Sequence, residues 1–192
     1  MREYPTKHKE IVSLLLDGKF MIYPSPLFGV LVENDEDYIE FFKKSYDFDL
    51  IIETDFAYLS SEDVNEKRTR DFTLFLAILS RELDYSGKNF REKIEFGTFD
   101  IQETEELLRQ SSKWEILEKT TVADFEKFIK TWRSKNLLEV NGSKFKFTKA
   151  IKLFFRFAME IAEEKLKEQS LLFSQKHLLN LAMGLVYFDY SL

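Results

Sequence analysis

Residues 120–157 read TTVADFEKFIKTWRSKNLLEVNGSKFKFTKAIKLFFRF, and this stretch decides the fold. Thr121 and Asp124 stand three apart ahead of an apolar run, a spacing that starts helices because side-chain oxygens can accept from the free amides of the first turn. Val122, Phe125, Phe128, Ile129 and Trp132 then recur at helical spacing, so one face is apolar while the other carries Lys127, Lys130 and Arg133. Leu137–Val140 and Lys144–Phe147 flank Asn141-Gly142, a dipeptide suited to a tight hairpin whose two central residues both need positive φ. A helix leading directly into a short hairpin is the second half of a winged helix.

The charge of this stretch is lopsided. From Lys127 to Arg156 nine Lys and Arg stand against one acid, Glu139, a local balance of +8 in a chain whose net charge is −6. A global negative charge argues against general adhesion to nucleic acid, but a basic helix and wing can still meet it locally. Lys127, Lys130, Arg133 and Lys135 would line the helix that winged-helix proteins set in the major groove, with Lys144 and Lys146 on the wing. Few Asn, Gln or Arg suited to base edges are available, so the contact expected is to the backbone, weakly selective and steeply salt-dependent. The plainer reading is a solvated helix face whose lysines balance acids elsewhere.

Outward toward the N-terminus the same order of elements recurs. Residues 7–17 have helical spacing at Ile11, Leu14 and Leu15, with Gly18 as the stop, and 19–23 read as a strand. Pro26 opens a helix to about Glu33, and Asn34 caps another whose face is Tyr38, Phe41, Phe42 and Tyr46. Residues 50–54 and 56–59 form a hairpin. Residues 60–70, SSEDVNEKRTR, have no apolar period and read as a linker. A helix follows from Asp71 to Leu83, ended by Ser86-Gly87, then a possible strand near Glu95–Phe99 and a helix capped by Asp100. The fold expected is mainly α with small β-hairpins (α+β): a winged-helix domain over 1–60, a linker over 61–70, a second winged-helix domain over 71–150, and C-terminal helices over 151–192.

Those C-terminal helices are expected to run from Lys149 to about Glu168 and from Ser174 to about Tyr187. The first begins apolar nearly all round, so Phe154, Phe155 and Phe157 are candidates for a dimer or partner interface.

Composition narrows the chemistry. With 44% hydrophobic and 32% charged residues over 192 positions, the chain is globular and can bury a sizeable core. It has no cysteine, which excludes disulfides, zinc–thiolate sites and thiol nucleophiles. The apolar run near the N-terminus is broken by Asp17, too short for a signal peptide, and no segment reaches the roughly 20 apolar residues of a membrane span. An intracellular, cytoplasmic protein is expected.

The six glycines stand alone, so no phosphate-cradling loop exists, and serines lack a nucleophile-elbow pattern. His8 and His177 lie in separate terminal helices. Glu33, Asp35, Glu36 and Asp37 lack the central glycine and distal glutamate of a calcium loop and suit a helix N-terminus. No catalytic, cofactor or metal site is expected.

The run Leu14-Leu-Leu-Asp-Gly-Lys-Phe20, the helix Asn34-Asp-Glu-Asp-Tyr-Ile-Glu-Phe-Phe42 and the hairpin from Leu50 to Ser60 resemble MksE, the MukE-like accessory subunit of bacterial SMC (condensin-type) complexes. The order of elements fits over about residues 7–168. This resemblance implies a tandem winged-helix protein without enzymatic activity or cofactor. It would pair with itself and bind the kleisin subunit that bridges an SMC ATPase. DNA would be held by the assembled complex, in chromosome organisation, condensation and segregation or in plasmid defence, at the nucleoid and not at a membrane. The other reading of the residues is a free-standing winged-helix transcription regulator.

Overall fold

Helix, strand, helix, helix, hairpin is the order of the first half, and the second half repeats it with two short helices added. The computed structural model describes residues 4–60 and 66–156. In the first half α1 (His8–Leu16) leads to β1 (Met21–Ile22), α2 (Pro26–Glu33), α3 (Asp35–Tyr46), β2 (Asp49–Ile52) and β3 (Phe56–Ser60). In the second, α4 (Glu66–Tyr85) and α5 (Phe90–Phe96) precede β4 (Phe99–Asp100). Then come α6 (Ile101–Gln110), α7 (Trp114–Leu117), α8 (Phe125–Ser134), β5 (Leu138–Asn141) and β6 (Lys144–Phe147). Both sheets are antiparallel and both place the third strand between the other two, β1-β3-β2 and β4-β6-β5. That is winged-helix connectivity twice.

The helix ends repeat as well. The first helix of each half stops at a left-handed glycine, Gly18 (φ +67°) and Gly87 (φ +69°). The helix before each hairpin stops at a left-handed polar residue, Asp47 (φ +57°) and Asn136 (φ +61°). Such residues turn the chain back so that its next amides reach the last carbonyls. Lys19 N–H donates to Leu14 O at 3.2 Å, and Leu137 N–H to Trp132 O at 3.0 Å.

Each half is built around its own core. Ile11, Leu15, Phe28, Leu31, Tyr38, Phe42, Leu50 and Ala57 are buried together in the first. In the second, α4 and α8 meet through stacked, tilted and edge-on rings: Phe72 lies 4.4 Å from Trp132 and 5.9 Å from Phe128, and Phe75 lies 5.0 Å from Phe128. Every apolar residue expected on α4 (Phe72, Phe75, Leu76, Leu79 and Leu83) is buried.

Several details differ from expectation. The polar stretch taken as a linker, 61–70, is helical from Glu66; Arg68 and Arg70 are exposed there, and a solvent-facing stretch of helix needs no apolar period. The strand placed near Glu95–Phe99 is limited to Phe99–Asp100, and Phe90–Phe96 is a helix capped by Asn89, whose side chain accepts from Glu92 N–H at 3.2 Å. Asp124, not Thr121, caps α8, accepting from Lys127 N–H at 3.2 Å, while Thr121–Ala123 form a 3-10 turn. Asn34 does not cap α3; its amide instead donates back to Val30 O at 2.8 Å, closing α2. In the wing, Asn141 pairs with Lys144, so the two central residues are Gly142 and Ser143. Positive φ falls on Gly142 alone (+59°), the arrangement of a II′ turn.

Both halves belong to one compact unit that ends at Ile151. They meet in a polar seam. Phe20 N–H donates to Lys135 O at 2.9 Å, the Asn136 amide donates to Phe20 O at 2.8 Å, and Lys135 Nζ donates to Asp17 O. Across the same seam Lys149 Nζ is 3.1 Å from Asp55 Oδ1 and 5.6 Å from the centre of the Tyr23 ring. Residues 151–156 are helical, with Leu153 and Phe154 buried. The remainder of that expected helix, the helix expected over 174–187 and Phe157 lie outside the described residues.

Candidate nucleic-acid interface

The candidate face is the outer side of α8 together with the wing β5–β6. Helical periodicity divides α8 sharply: Phe125, Phe128, Ile129 and Trp132 are buried, and Lys127, Lys130 and Arg133 are exposed. Rows three residues apart rise about 4.5 Å per step, so these cations occupy successive turns of one side. In β6 the period is two. Lys144 and Lys146 are exposed, whereas Phe145 and Phe147 are buried, Phe145 stacking on Phe99 at 5.2 Å.

The wing tip is tied down. Ser143 Oγ donates to Asp100 Oδ2 at 2.8 Å, and Ile101 N–H donates to Ser143 O at 2.8 Å. Asp100 also caps α6 through Gln102 and Glu103 N–H at 3.0 and 3.2 Å. The Ser143 hydroxyl first, then the Glu103 amide, hold the Asp100 carboxyl below its ordinary range, with the Gln102 amide and the nearby Lys144 charge acting in the same direction. One carboxylate therefore fixes both the start of α6 and the turn that presents Lys144.

The six cations singled out in the sequence have unequal surroundings. Lys130 lies 2.5 Å from Glu126, one turn back, and Lys146 lies 2.9 Å from Glu139 across the wing. Exposed pairs of this kind stabilise by only about 0–1 kcal/mol, so either lysine can leave its carboxylate for a phosphate at small cost. Lys127 and Arg133 have no ion pair among the described residues. Lys135 is turned into the seam, where it serves the Asp17 carbonyl. Of the partner-interface candidates, Phe154 is buried, Phe155 is half-buried, and Phe157 is outside the described residues.

The basic face belongs to the second half only. In the first half α3 holds the corresponding place, but it opens with Asp35, Glu36 and Asp37. Its two lysines are occupied: Lys43 lies 3.0 Å from Asp47 and 3.1 Å from Asp49, and Lys44 pairs with Glu40.

Among the described residues no cluster of His, Asp or Glu is placed to hold a metal ion, and no helix is long and apolar enough to cross a membrane. His8 packs between Tyr4 at 4.0 Å and Tyr38 at 5.5 Å, so it is a ring in an aromatic cluster. Burial pushes its pKa down. Sequence reasoning did not single out Asp100 and Ser143 as wing anchors. Asp100 was legible as a cap, but its second role depends on a turn 43 residues away.

No curated protein sequence matches the chain significantly. The family model described as condensin complex protein MksE matches residues 6–159, well over half of the chain and both winged halves. With that match and the doubled winged-helix connectivity together, the chain belongs to the MksE family, the accessory proteins of SMC-type condensin complexes.

Proposed function

We propose that this chain is a non-enzymatic subunit that binds the kleisin of its SMC complex and contributes a DNA backbone contact to the assembled particle. The observation that carries the DNA contact is the exposed, mutually aligned set of Lys127, Lys130 and Arg133 on a helix pinned by an aromatic core, beside a wing whose tip is anchored by Asp100. Lys144 and Lys146 extend the same contact. The acidic start of α3 supports the second half as the side that meets DNA. Arg133 is the single Arg, Asn or Gln among the exposed α8 side chains, and this scarcity of bidentate base-reading groups favours a complex that tracks phosphates over a regulator reading one operator. Self-pairing is assigned to the C-terminal segment, with Phe155 and Phe157 as its candidates; Phe154 is buried in the chain and is not available to a partner. The protein acts in the cytoplasm at the nucleoid.

One reconstitution tests this. The chain is co-expressed with the kleisin-like subunit and the SMC ATPase, and DNA retention by the purified complex is compared for wild type and Lys130→Glu/Arg133→Glu/Lys144→Glu. The expected result is co-purification of all subunits in both cases, with retention by the triple variant reduced at least tenfold at about 0.15 M salt. Failure of the chain to co-purify with the kleisin-like subunit sinks the partner assignment. Unchanged retention by a folded triple variant sinks the DNA assignment.

A further inference from the structure

Beside the basic face lies a cleft of about 340 Å³ between the first turns of α4 and the start of α8, lined among others by Arg68, Thr121, Asp124, Lys127, Phe128 and Trp132. Its two rims carry one cation each, Arg68 from α4 and Lys127 from α8. Neither has an ion pair among the described residues, in contrast to Lys130 and Lys146. Two like charges on one cleft disfavour each other, and an anion between them would turn that repulsion into attraction. The one acid on the lining, Asp124, keeps its charge while its Oδ1 accepts Lys127 N–H at 3.2 Å, so two cations against one carboxylate leave the cleft with a net charge of +1. The floor is rigid: Phe128 and Trp132 are buried and packed against Phe72. Beneath the cleft the fully buried Asp71 accepts Thr121 N–H at 3.0 Å, fixing the turn that carries Thr121. The Thr121 hydroxyl has no partner among the described residues and is available as a donor.

We infer that this cleft seats one phosphodiester of the DNA backbone, clamped by Arg68 and Lys127, and that Arg68 belongs to the DNA-binding set. Lys127 faces both the cleft and the outer row of α8, so the phosphate in the cleft continues the track of Lys130 and Arg133. The inference rests on the proposed DNA contact of α8, and it adds α4 to that contact. Arg68 was hidden in the sequence because it lies in the polar run that reads as a linker, 59 positions from Lys127.

The chain has two tryptophans, so in a Trp114→Phe background emission comes from Trp132 alone and reports on the cleft floor. The intact chain is titrated with a duplex of about 30 base pairs in about 50 to 200 mM salt, with anisotropy of the labelled duplex read in parallel. The expected result is a change in Trp132 emission that tracks the anisotropy. Arg68→Ala should lower affinity roughly five- to tenfold near 0.1 M salt, with the slope of log K against log salt shallower by about 0.9. Inorganic phosphate and thymidine monophosphate at matched ionic strength should leave emission unchanged at millimolar concentration. If Lys130→Glu/Arg133→Glu weakens binding but a folded Arg68→Ala variant does not, the cleft assignment is overturned and the α8 contact stands. If neither variant matters, whether in this titration or in DNA retention by the reconstituted complex, both are overturned. Saturation of the Trp132 signal by free phosphate or the nucleotide overturns the backbone assignment in favour of a free-anion site.

Discussion

Asn136 shows how much one residue decides. It sits at φ +61°, where a side chain normally costs about 1–2 kcal/mol, and it ends α8 while its amide donates to Phe20 O in the other half. Asparagine tolerates this conformation better than other non-glycine residues, and here its amide also has work across the seam. Asn136→Ala should destabilise the protein by about 1.5–3.5 kcal/mol, the sum of the backbone cost and one lost hydrogen bond. Asn136→Gly should lose less, because it removes the hydrogen bond but relieves the backbone. Urea unfolding of both variants checks this, and equal losses would show that the backbone conformation is not the dominant cost.

At the scale of elements, the wing owes its position to Asp100. Its carboxyl is held below the ordinary range, so the unfolded chain takes up this proton at higher pH than the folded chain does. The contribution is therefore complete above the unfolded value, about 3.9, and is lost as the pH falls through the lower folded value. Wild type should exceed Asp100→Asn in stability at pH 6, and the gap should close as pH is lowered from about 5 to 3. Thermal melts of the two proteins across that range measure the gap, and a constant difference would mean the ionised carboxylate does not matter. The elements themselves were largely readable. α4 and α8 carry four or five aromatic and aliphatic residues each at helical spacing, and such a pattern has one good solution. α5 escaped because Phe90–Phe96 is short and its apolar residues are few, although Asn89 with Glu92 three positions later was a start signal.

For the whole molecule, the seam is the decisive feature. Two winged-helix units joined by chain alone would be free to move independently, whereas Phe20, Lys135, Asn136, Lys149 and Asp55 bond the first unit to the second. Each bond is modest, about 0.5–1.5 kcal/mol for a hydrogen bond and less for the exposed Lys149–Asp55 pair, yet together they couple the unfolding of the halves. Wild type should unfold in one transition. Asn136→Ala/Lys149→Ala should split or broaden it, with a lower apparent m-value by urea titration. A single transition of unchanged slope in the double variant would place the coupling elsewhere.

The amino-acid order by itself determined most of the helices, both hairpins and the repeated order of elements, because apolar periodicity and left-handed stops act over a few residues. It also located the basic stretch that ends in the wing, since charge is additive along a chain. Tertiary structure alone decided which of those cations are free. Lys135 and Lys149 are bound to Asp17 and Asp55, more than 90 positions away in sequence, and Arg68 reaches the same cleft as Lys127 because Phe72 and Phe75 pack on Phe128. Whether a lysine is a ligand-binding group or an internal clasp depends on what lies within a few ångströms of its nitrogen. That distance is set by long-range packing, and local spacing carries no record of it.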